Sequence, residues 1–229
     1  MLDLEIIDHP SPNHDARPDG QAVDILLLHY TGMESGAAAL ARLCDPAAKV
    51  SAHYLVEEDG RIFQLVPEDR RAWHAGVAEW QGAGDMNARS VGIEIVNPGH
   101  EFGYRSFPAE QMAAVKLLCL DVLARHPIPA ARVLGHSDVA PLRKEDPGEL
   151  FDWRGLAAAG IGLWPESGSA AVLESAVAKA LQRIGYGYTE EDLPAVIRAF
   201  QRRYRPGSIT GTADAETRRR LAAVLAAID

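Results

Sequence analysis

The sequence predicts an α/β protein, in which buried strands alternate with helices. Two apolar runs, 23–28 and 90–96, have the length of strands and are bounded by turn signals. The mostly continuous run 23–28 is typical of a strand that is covered on both faces of a sheet, whereas the apolar residues of 90–96 surround one carboxylate, Glu94. Segments 50–56 and 61–66 flank the Asp59-Gly60 pair, which predicts a β-hairpin between them.

Helices are predicted where alanine-rich or leucine-rich segments are bounded by capping residues and proline. Ser35 is the candidate N-cap of the first helix, and Pro108 opens a longer one. The predicted helices of this part of the chain are 35–43, 108–126 and 150–159. Residues 1–22 are rich in Pro, Asp, Asn and Gly, and we predict an irregular lead-in there.

A second domain is predicted after residues 164–169, where the sequence WPESGS has the composition of a linker. Thr212, with Glu216 nearby, is the candidate cap of the last helix. The predicted helices beyond the linker are 170–184, 190–204 and 213–228. Three helices in about 60 residues are near the lower limit for independent folding. We therefore predict two domains, 1–163 and 170–229.

The composition argues against binding to nucleic acid or to an anionic membrane surface, because the net charge of the 229 residues is −9. The arginine-rich segments 202–205 and 218–220 fall on predicted helices, and we expect them to be solvated. No apolar run approaches the roughly 20 residues of a membrane-spanning helix. The chain as written starts without a recognisable signal peptide, so we expect a cytoplasmic protein, with the cell envelope as the alternative.

The densest chemistry lies in GHSDVAPLRKEDPG, residues 135–148, directly after a short predicted strand. Two prolines, which fix φ and donate no N–H, predict a shaped loop here and not a helix. His136 and Asp146 are candidate ligands of a zinc ion. Asp138 is a rival ligand by spacing, although a capping role suits it equally, and Asp146 could simply form a turn.

A catalytic zinc site takes three protein ligands and leaves a fourth position for water. His29 follows the apolar run 23–28 as His136 follows its own strand. If these strands are neighbours and end on the same side, the two histidines meet. Taken alone, His29 could equally be a hydrogen-bonded core residue. Four other histidines are expected at the surface: His9, His14, His100 and His126.

Four blocks of sequence, in order, resemble the zinc-dependent N-acetylmuramoyl-L-alanine amidases of the type-2 amidase family. They are LLLHYTG at 26–32, VSAHYLVEEDGRIFQLVPEDRRAWHAG at 50–76, NARSVGIEIVN at 87–97 and GHSDVAPLRKEDPG at 135–148. The resemblance implies a mixed central β-sheet flanked by helices. It also implies that the zinc (Zn2+) ligands are His29, His136 and Asp146.

The reaction that this resemblance implies is hydrolysis of the amide between N-acetylmuramic acid and L-alanine, in peptidoglycan or in muropeptides, including 1,6-anhydro forms. Glu94 would be the catalytic proton carrier, and Lys144 would stabilise negative charge. Without the resemblance, a solvent-facing strand carboxylate and a solvated loop lysine would be the simpler interpretations. The residues expected to contact substrate are Tyr30, Trp73, His74, Asn97 and Arg89.

The tail resembles a peptidoglycan-binding three-helix domain through AFQRRYRP and ITGTADAETRRRL. The intervening TEEDLP segment departs from the usual spacing of that domain, so a helical appendage docked on the enzyme is the alternative. For the whole chain, the competing function is a non-catalytic protein that recognises muropeptides on the same fold. We expect a monomer.

Overall fold

A mixed β-sheet forms the centre of the computed structural model, which describes residues 4–229. The strands of the described chain are β1 (Ile6–Asp8), β2 (His14–Ala16), β3 (Ile25–Tyr30), β4 (Tyr54–Val56), β5 (Ile62–Gln64), β6 (Arg70–Ala72), β7 (Ser90–Ile95) and β8 (Val133–Gly135). Six of them form the central sheet in the order β1-β5-β4-β7-β3-β8. Only β4 and β5 pair antiparallel within it, so the predicted mixed sheet and hairpin are confirmed.

The helices lie on both faces of this sheet. They are α1 (Gly36–Cys44), α2 (Met86–Arg89), α3 (Gly99–Phe102), α4 (Ala109–Arg125), α5 (His136–Val139), α6 (Trp153–Ala158), α7 (Val177–Ile184), α8 (Leu193–Tyr204) and α9 (Ala215–Ile228). The hydroxyl of Ser35 accepts the N–H of Ala38 at the start of α1, which confirms the predicted cap. Pro108 directly precedes α4, also as predicted.

Residues 25–28 of β3 are all apolar because each face of the sheet is covered by a different core at this strand. Leu26 and Leu28 belong to a core shared with α4 and α6. Ile25 and Leu27, which alternate with them, belong to a second core on the opposite face. This period of two residues explains why the sequence shows an unbroken apolar run.

The predicted irregular lead-in was wrong for two short segments. β1 pairs in parallel with β5, and β2 pairs antiparallel with β6. Strands of three residues carry too little alternation to be recognised from sequence. Residues 1–3 of the lead-in lie outside the described part of the chain.

Three helical predictions are also corrected. Residues 136–139 of the predicted loop form the single helical turn α5. The backbone N–H of Gly135, the residue before this turn, donates to the Asp138 carboxylate at 2.9 Å. The helix predicted from residue 170 begins at Val177 after a 3-10 turn. The last helix is capped by Asp214, not Thr212, because the aspartate stands directly before the first helical residue.

The three C-terminal helices share a buried core with the central sheet. Phe200 of α8 and Leu221 of α9 belong to the same buried core as Ile25 and Leu27 of β3. The segments predicted as two domains therefore share one apolar core. Arg202 and Arg203, which we expected to be solvated, are 8% and 3% exposed, because their side chains bond Glu145 and Asp138 of the amidase part of the chain. No helix within residues 4–229 has the length and apolarity needed to cross a membrane.

We expect Phe200→Ala to lower the unfolding temperature of the whole protein in one transition. Phe200 is fully buried in the shared core, and such truncations typically cost about 3–5 kcal/mol. Differential scanning calorimetry measures the effect, with Phe102→Ala as the control because Phe102 is 46% exposed. Two separate transitions, of which only one moves, would contradict a shared core.

Candidate active site

The carboxyl ends of three neighbouring parallel strands bring the predicted site residues together. His29, near the end of β3, lies opposite Glu94 of β7 in the strand register. β8 pairs with β3 on its other side and ends at Gly135, so His136 emerges at the same edge. The backbone carbonyl of Asp146 accepts the N–H of Ser137 at 2.9 Å, which returns the loop to this point. This edge of a parallel sheet is where α/β proteins place ligands.

The side chains of His29, His136 and Asp146 converge on one point. The two Nδ1 atoms are 2.9 Å apart, and the Oδ2 atom of Asp146 lies 3.1 Å from His29 Nδ1 and 3.0 Å from His136 Nδ1. All three residues are buried. Each thus directs one potential ligand atom into a shared, nearly equilateral triangle.

The hydrogen-bond partner of His136 assigns its tautomer. Its Nε2 lies 2.9 Å from the carbonyl oxygen of Ala75. A carbonyl oxygen can only accept, so Nε2 carries the proton. In the neutral ring, Nδ1 then presents a lone pair to the triangle.

A longer chain of hydrogen bonds assigns the tautomer of His29. The hydroxyl of Ser90 donates to the carbonyl of Met86 at 2.6 Å, and its oxygen accepts from His74 Nε2 at 3.2 Å. The other nitrogen of His74, Nδ1, therefore accepts from His29 Nε2 at 2.9 Å. The Nδ1 atom of His29 is left with a lone pair facing the triangle.

Two imidazole lone pairs and a carboxylate oxygen consequently face one another with no proton between them. Three acceptors at such distances repel unless a cation lies among them. Two histidine nitrogens and one carboxylate oxygen are a ligand set typical of catalytic zinc. The residues present therefore fit the metal that the sequence analysis predicts.

The pKa values of the triangle favour the forms that bind a metal. Burial, with the neighbouring His136 ring adding to it, lowers the pKa of His29 to about 4. Burial alone would raise the pKa of Asp146, but a proton on the adjacent His136 or His29 ring outweighs burial and brings that pKa well below its usual range, so the carboxyl is ionised whenever a positive charge lies among the three side chains. A neutral imidazole and an ionised carboxylate are the states required of ligands.

Glu94 has the opposite balance. Its Oε2 atom is buried without a hydrogen-bond partner among the described residues. Burial, and next the negative charge of Asp146, raise the pKa of Glu94 well above its usual value, while Lys144 opposes the shift. An unpartnered carboxyl with a raised pKa beside a ligand cluster is a candidate for proton transfer.

A cavity of about 200 Å³ opens onto this cluster. Glu94, Lys144 and Asp146 line it, together with His136. The side chain of Lys144 is partly exposed and makes no hydrogen bond or ion pair within residues 4–229. Its charge is therefore available to a bound molecule.

The predicted substrate-contacting residues divide into three groups. Tyr30 and Trp73 line the cavity, and the Tyr30 hydroxyl lies 2.9 Å from His100 Nδ1. His74 also borders it, although it is buried and its ring is engaged by His29 and Ser90.

The other two lie away from the cavity. The side chain of Asn97 is fully buried and bonds the backbone of Gly99 and Arg105. Arg89 immediately precedes β7, at the opposite end from Glu94, and makes two hydrogen bonds to Asp24, at 2.9 and 2.6 Å. The structure does not bring Arg89 to the cluster.

Two residues of the site were not anticipated. Ser90 anchors the chain of hydrogen bonds to His29 from the first position of β7, where a serine looks like an ordinary strand boundary. Arg42 lines the cavity from the last turn of α1 and has an exposed side chain. Arg42 follows an alanine-rich stretch of α1, and nothing in this local sequence indicates a role in binding.

A family model described as N-acetylmuramoyl-L-alanine amidase (Amidase_2) matches residues 19–149. This range contains the triangle, Glu94 and Lys144. The amidase AmiD of Escherichia coli (strain K12) is 38% identical over 234 residues, which cover 89% of this chain and 84% of AmiD. The chain belongs to the N-acetylmuramoyl-L-alanine amidase family.

A second relative delimits the amidase region. The 1,6-anhydro-N-acetylmuramyl-L-alanine amidase AmpD of the same organism is 38% identical over 161 residues, 63% of this chain and 86% of AmpD. The structure of E. coli AmiD with anhydro-N-acetylmuramic acid-L-Ala-D-gamma-Glu-L-Lys aligns with a TM-score of 0.81 at 38% identity, covering 90% of this amidase and 89% of AmiD. AmpDH3 from Pseudomonas aeruginosa, with an anhydromuramic pentapeptide, gives a TM-score of 0.80 at 33% identity, covering 88% and 90%.

In the metal-free amidase, we expect Glu94→Gln to raise the free energy of unfolding more at pH 7 than at pH 4. A carboxyl whose pKa rises on folding binds more protons folded than unfolded, so wild-type stability falls as pH climbs above the usual value of 4.5. The glutamine variant lacks this loss. Urea unfolding in the presence of a chelator measures both differences.

The matched control for this experiment is Glu174→Gln, since Glu174 is exposed. Its free energy of unfolding should follow that of the wild type at both pH values. An equal gain for Glu94→Gln at pH 4 and pH 7 would show that the buried carboxyl does not have a raised pKa.

Proposed function

We propose that this chain is a zinc-dependent amidase that cuts the amide bond between N-acetylmuramic acid and L-alanine in peptidoglycan or anhydromuropeptides. The single observation that carries the proposal is the proton-free triangle of His29, His136 and Asp146, with Glu94 and Lys144 on the same cavity. The substrate in the AmiD complex supports the choice of muropeptide.

His29, His136 and Asp146 would hold the zinc ion. A zinc ion supplies Lewis-acid chemistry, which polarises a carbonyl and acidifies water. The protein fixes how the ligands are presented: His74 and Ser90 hold the His29 ring, and Ala75 holds that of His136. Such outer contacts orient metal ligands and set their tautomers.

Glu94 would move the proton. The pKa of Glu94 is raised in the metal-free site. A bound cation would favour the ionised form of Glu94, and this carboxylate could then take a proton from the attacking water. The same group, once protonated, can give that proton to the nitrogen of L-alanine as the amide bond breaks. The negative charge of Asp146 nearby raises the pKa of Glu94 and so strengthens it as a base.

Lys144 would stabilise the negative charge that develops on the carbonyl oxygen. Its ammonium group has no hydrogen-bond or ion-pair partner within residues 4–229, and Lys144 lines the cavity with Glu94. A cation already in place costs no reorganisation when the charge appears.

The peptide would lie along the side of the cavity formed by α1. Tyr30 and Trp73 provide aromatic surface in the same cavity, and Arg42 of α1 provides a positive charge. A γ-linked glutamate, as in the peptide bound to AmiD, has a free α-carboxylate. We assign Arg42 as the residue that attracts this carboxylate.

A cytoplasmic location and a monomeric state remain predictions. Cell fractionation tests the first, and light scattering tests the second. The competing function is muropeptide recognition without catalysis. A protein of that kind would bind muropeptides and leave them intact in a mass-spectrometric assay. Both zinc-loaded and zinc-free protein must be assayed, since failure of both to cut a muropeptide would remove the proposed activity.

We expect Asp146→Ala to abolish both zinc binding and turnover. The substitution removes one corner of the triangle and leaves two buried imidazoles facing each other. Metal analysis of the purified variant and product formation from an anhydromuropeptide are the two measurements. Asp15→Ala is the control, because Asp15 is a largely exposed carboxylate paired with Arg71. A variant at Asp146 that keeps stoichiometric zinc would remove this residue from the ligand set.

We expect Lys144→Met to lower kcat by about 100- to 1000-fold, the usual effect of losing one contact to a developing oxyanion. Zinc content should not change, because Lys144 is not a ligand. The matched control is Lys179→Met on the exposed face of α7. If only KM rises while kcat stays constant, Lys144 binds substrate and does not stabilise the transition state.

A further inference from the structure

Two consecutive arginines of α8 reach the two ends of the metal-binding segment 135–148. Arg203 bonds Asp138, two residues after His136, and Arg202 bonds Glu145, the residue before Asp146. Both contacts cross from the C-terminal helical unit to the amidase part of the chain. The proposed reaction assigns no role to either contact.

The contact of Arg203 is fully buried. Its Nη1 donates to Asp138 Oδ2 at 2.7 Å, and the two side chains are 3% and 1% exposed. The hydroxyl of Tyr186, also in the helical unit, donates to Asp138 Oδ1 at 2.6 Å. The guanidinium lies 4.1 Å from the ring centroid of Trp153, which fixes its plane. Asp138 in turn accepts the N–H of Gly135, so it fixes the backbone from which His136 projects.

The contact of Arg202 reaches the other end of the segment. Its Nη2 donates to Glu145 Oε1 at 2.7 Å, and its Nε lies 3.7 Å from Glu149. Glu145 stands between Lys144 and Asp146 in the chain. A fixed position of the Glu145 carboxylate therefore helps to position both neighbours, the proposed ligand Asp146 and the proposed oxyanion contact Lys144.

These ion pairs are poor candidates for simple stabilisation. Burying both charges of the Arg203–Asp138 pair costs about as much as their attraction returns. The Arg202–Glu145 pair has a carboxylate side chain that is 51% exposed, and ion pairs open to solvent contribute little to stability. The Nε atoms of Arg202 and Arg203 are moreover buried without a hydrogen-bond partner among the described residues, which is a further cost. A pair of this kind is better suited to fixing one geometry than to adding net stability.

We propose that Arg203 and Arg202 are positioning residues, through which the C-terminal helical unit holds the zinc ligands in place. The inference rests on the proposed zinc site. Arg203 acts through Asp138 on His136, and Arg202 acts through Glu145 on Asp146 and Lys144. Outer contacts of this kind typically affect metal affinity by about 10- to 100-fold, because ligands must be held within about 0.5 Å.

The test uses the full chain with Arg203→Lys, Arg202→Met and Asp138→Asn. Arg205→Lys is the matched control, because Arg205 lies directly after α8 but pairs with Asp214 inside the helical unit. Zinc affinity is measured by competition with a chelator, and ligand geometry by the visible spectrum of the Co2+-loaded protein. Unfolding temperatures of the metal-free variants are measured in parallel.

Arg203→Lys should weaken zinc binding by about 10- to 100-fold and change the Co2+ spectrum at temperatures well below unfolding. The double variant Asp138→Asn with Arg203→Lys should be little weaker than either single variant, since the two residues act as one contact. Arg202→Met should weaken zinc binding by about tenfold with little loss of stability, because the Glu145 side chain is 51% exposed. Arg202→Met therefore keeps the test decisive if Arg203→Lys does not fold.

A purely structural role predicts a different pattern. If Arg203→Lys and Arg202→Met lower only the unfolding temperature, and bind zinc and Co2+ like Arg205→Lys, the inference is overturned while the proposed function stands. If the wild-type chain itself binds no zinc, the proposed function fails first. The metal titration of the wild type distinguishes these two failures.

Discussion

The parallel register between β3 and β7 is the constraint on which the site depends. It sets His29 opposite Glu94, so that a proposed ligand and the proposed proton carrier share one rung of the sheet. A slip of one residue would turn His29 into the opposite core and exchange its place with a leucine or tyrosine. Strand β7 also carries Ser90, which bonds the His74 ring. It carries Gly92 as well, where an added Cβ would lie 2.5 Å from the His74 ring. One strand pairing thus orders the ligand, the base and the support of the ligand.

Burial alone does not determine what the two acidic groups of the site do. Asp146 faces two imidazoles and has a lowered pKa, whereas the Oε2 atom of Glu94 has no hydrogen-bond partner in the described part of the chain and the pKa of Glu94 is raised. Each depends on the other, because the ionised Asp146 is part of what raises the pKa of Glu94. Pairs of carboxyls whose environments separate their pKa values are how one site holds a permanent anion and a proton carrier together.

The sequence allowed the long elements and the cluster to be predicted, but not the contacts across the fold. The run 23–28 indicates burial on both faces of the sheet, and His29 and His136 each follow an apolar strand, so it could be predicted that the two histidines meet. Three-residue strands such as β1 contain too little periodicity. The roles of Ser90, Arg42 and Arg203 depend on partners that are distant in sequence and come close only in the fold. Arg203 in particular looked like a solvated arginine, because nothing local shows that α8 is covered on that side.

The shared core changes what the C-terminal helices can be in this protein. AmpD aligns with only 63% of this chain, whereas AmiD aligns with 89%. A relative can therefore be an amidase although it does not match the rest of this chain. Here the faces of α8 and α9 that carry Phe200 and Leu221 are buried in the core that these helices share with β3, and therefore cannot also bind a cell-wall polymer. Any affinity of the helical unit for peptidoglycan must use its remaining exposed surface. The helical unit is consequently an integral part of the amidase structure. It can bind other molecules only through the surface that this packing leaves exposed.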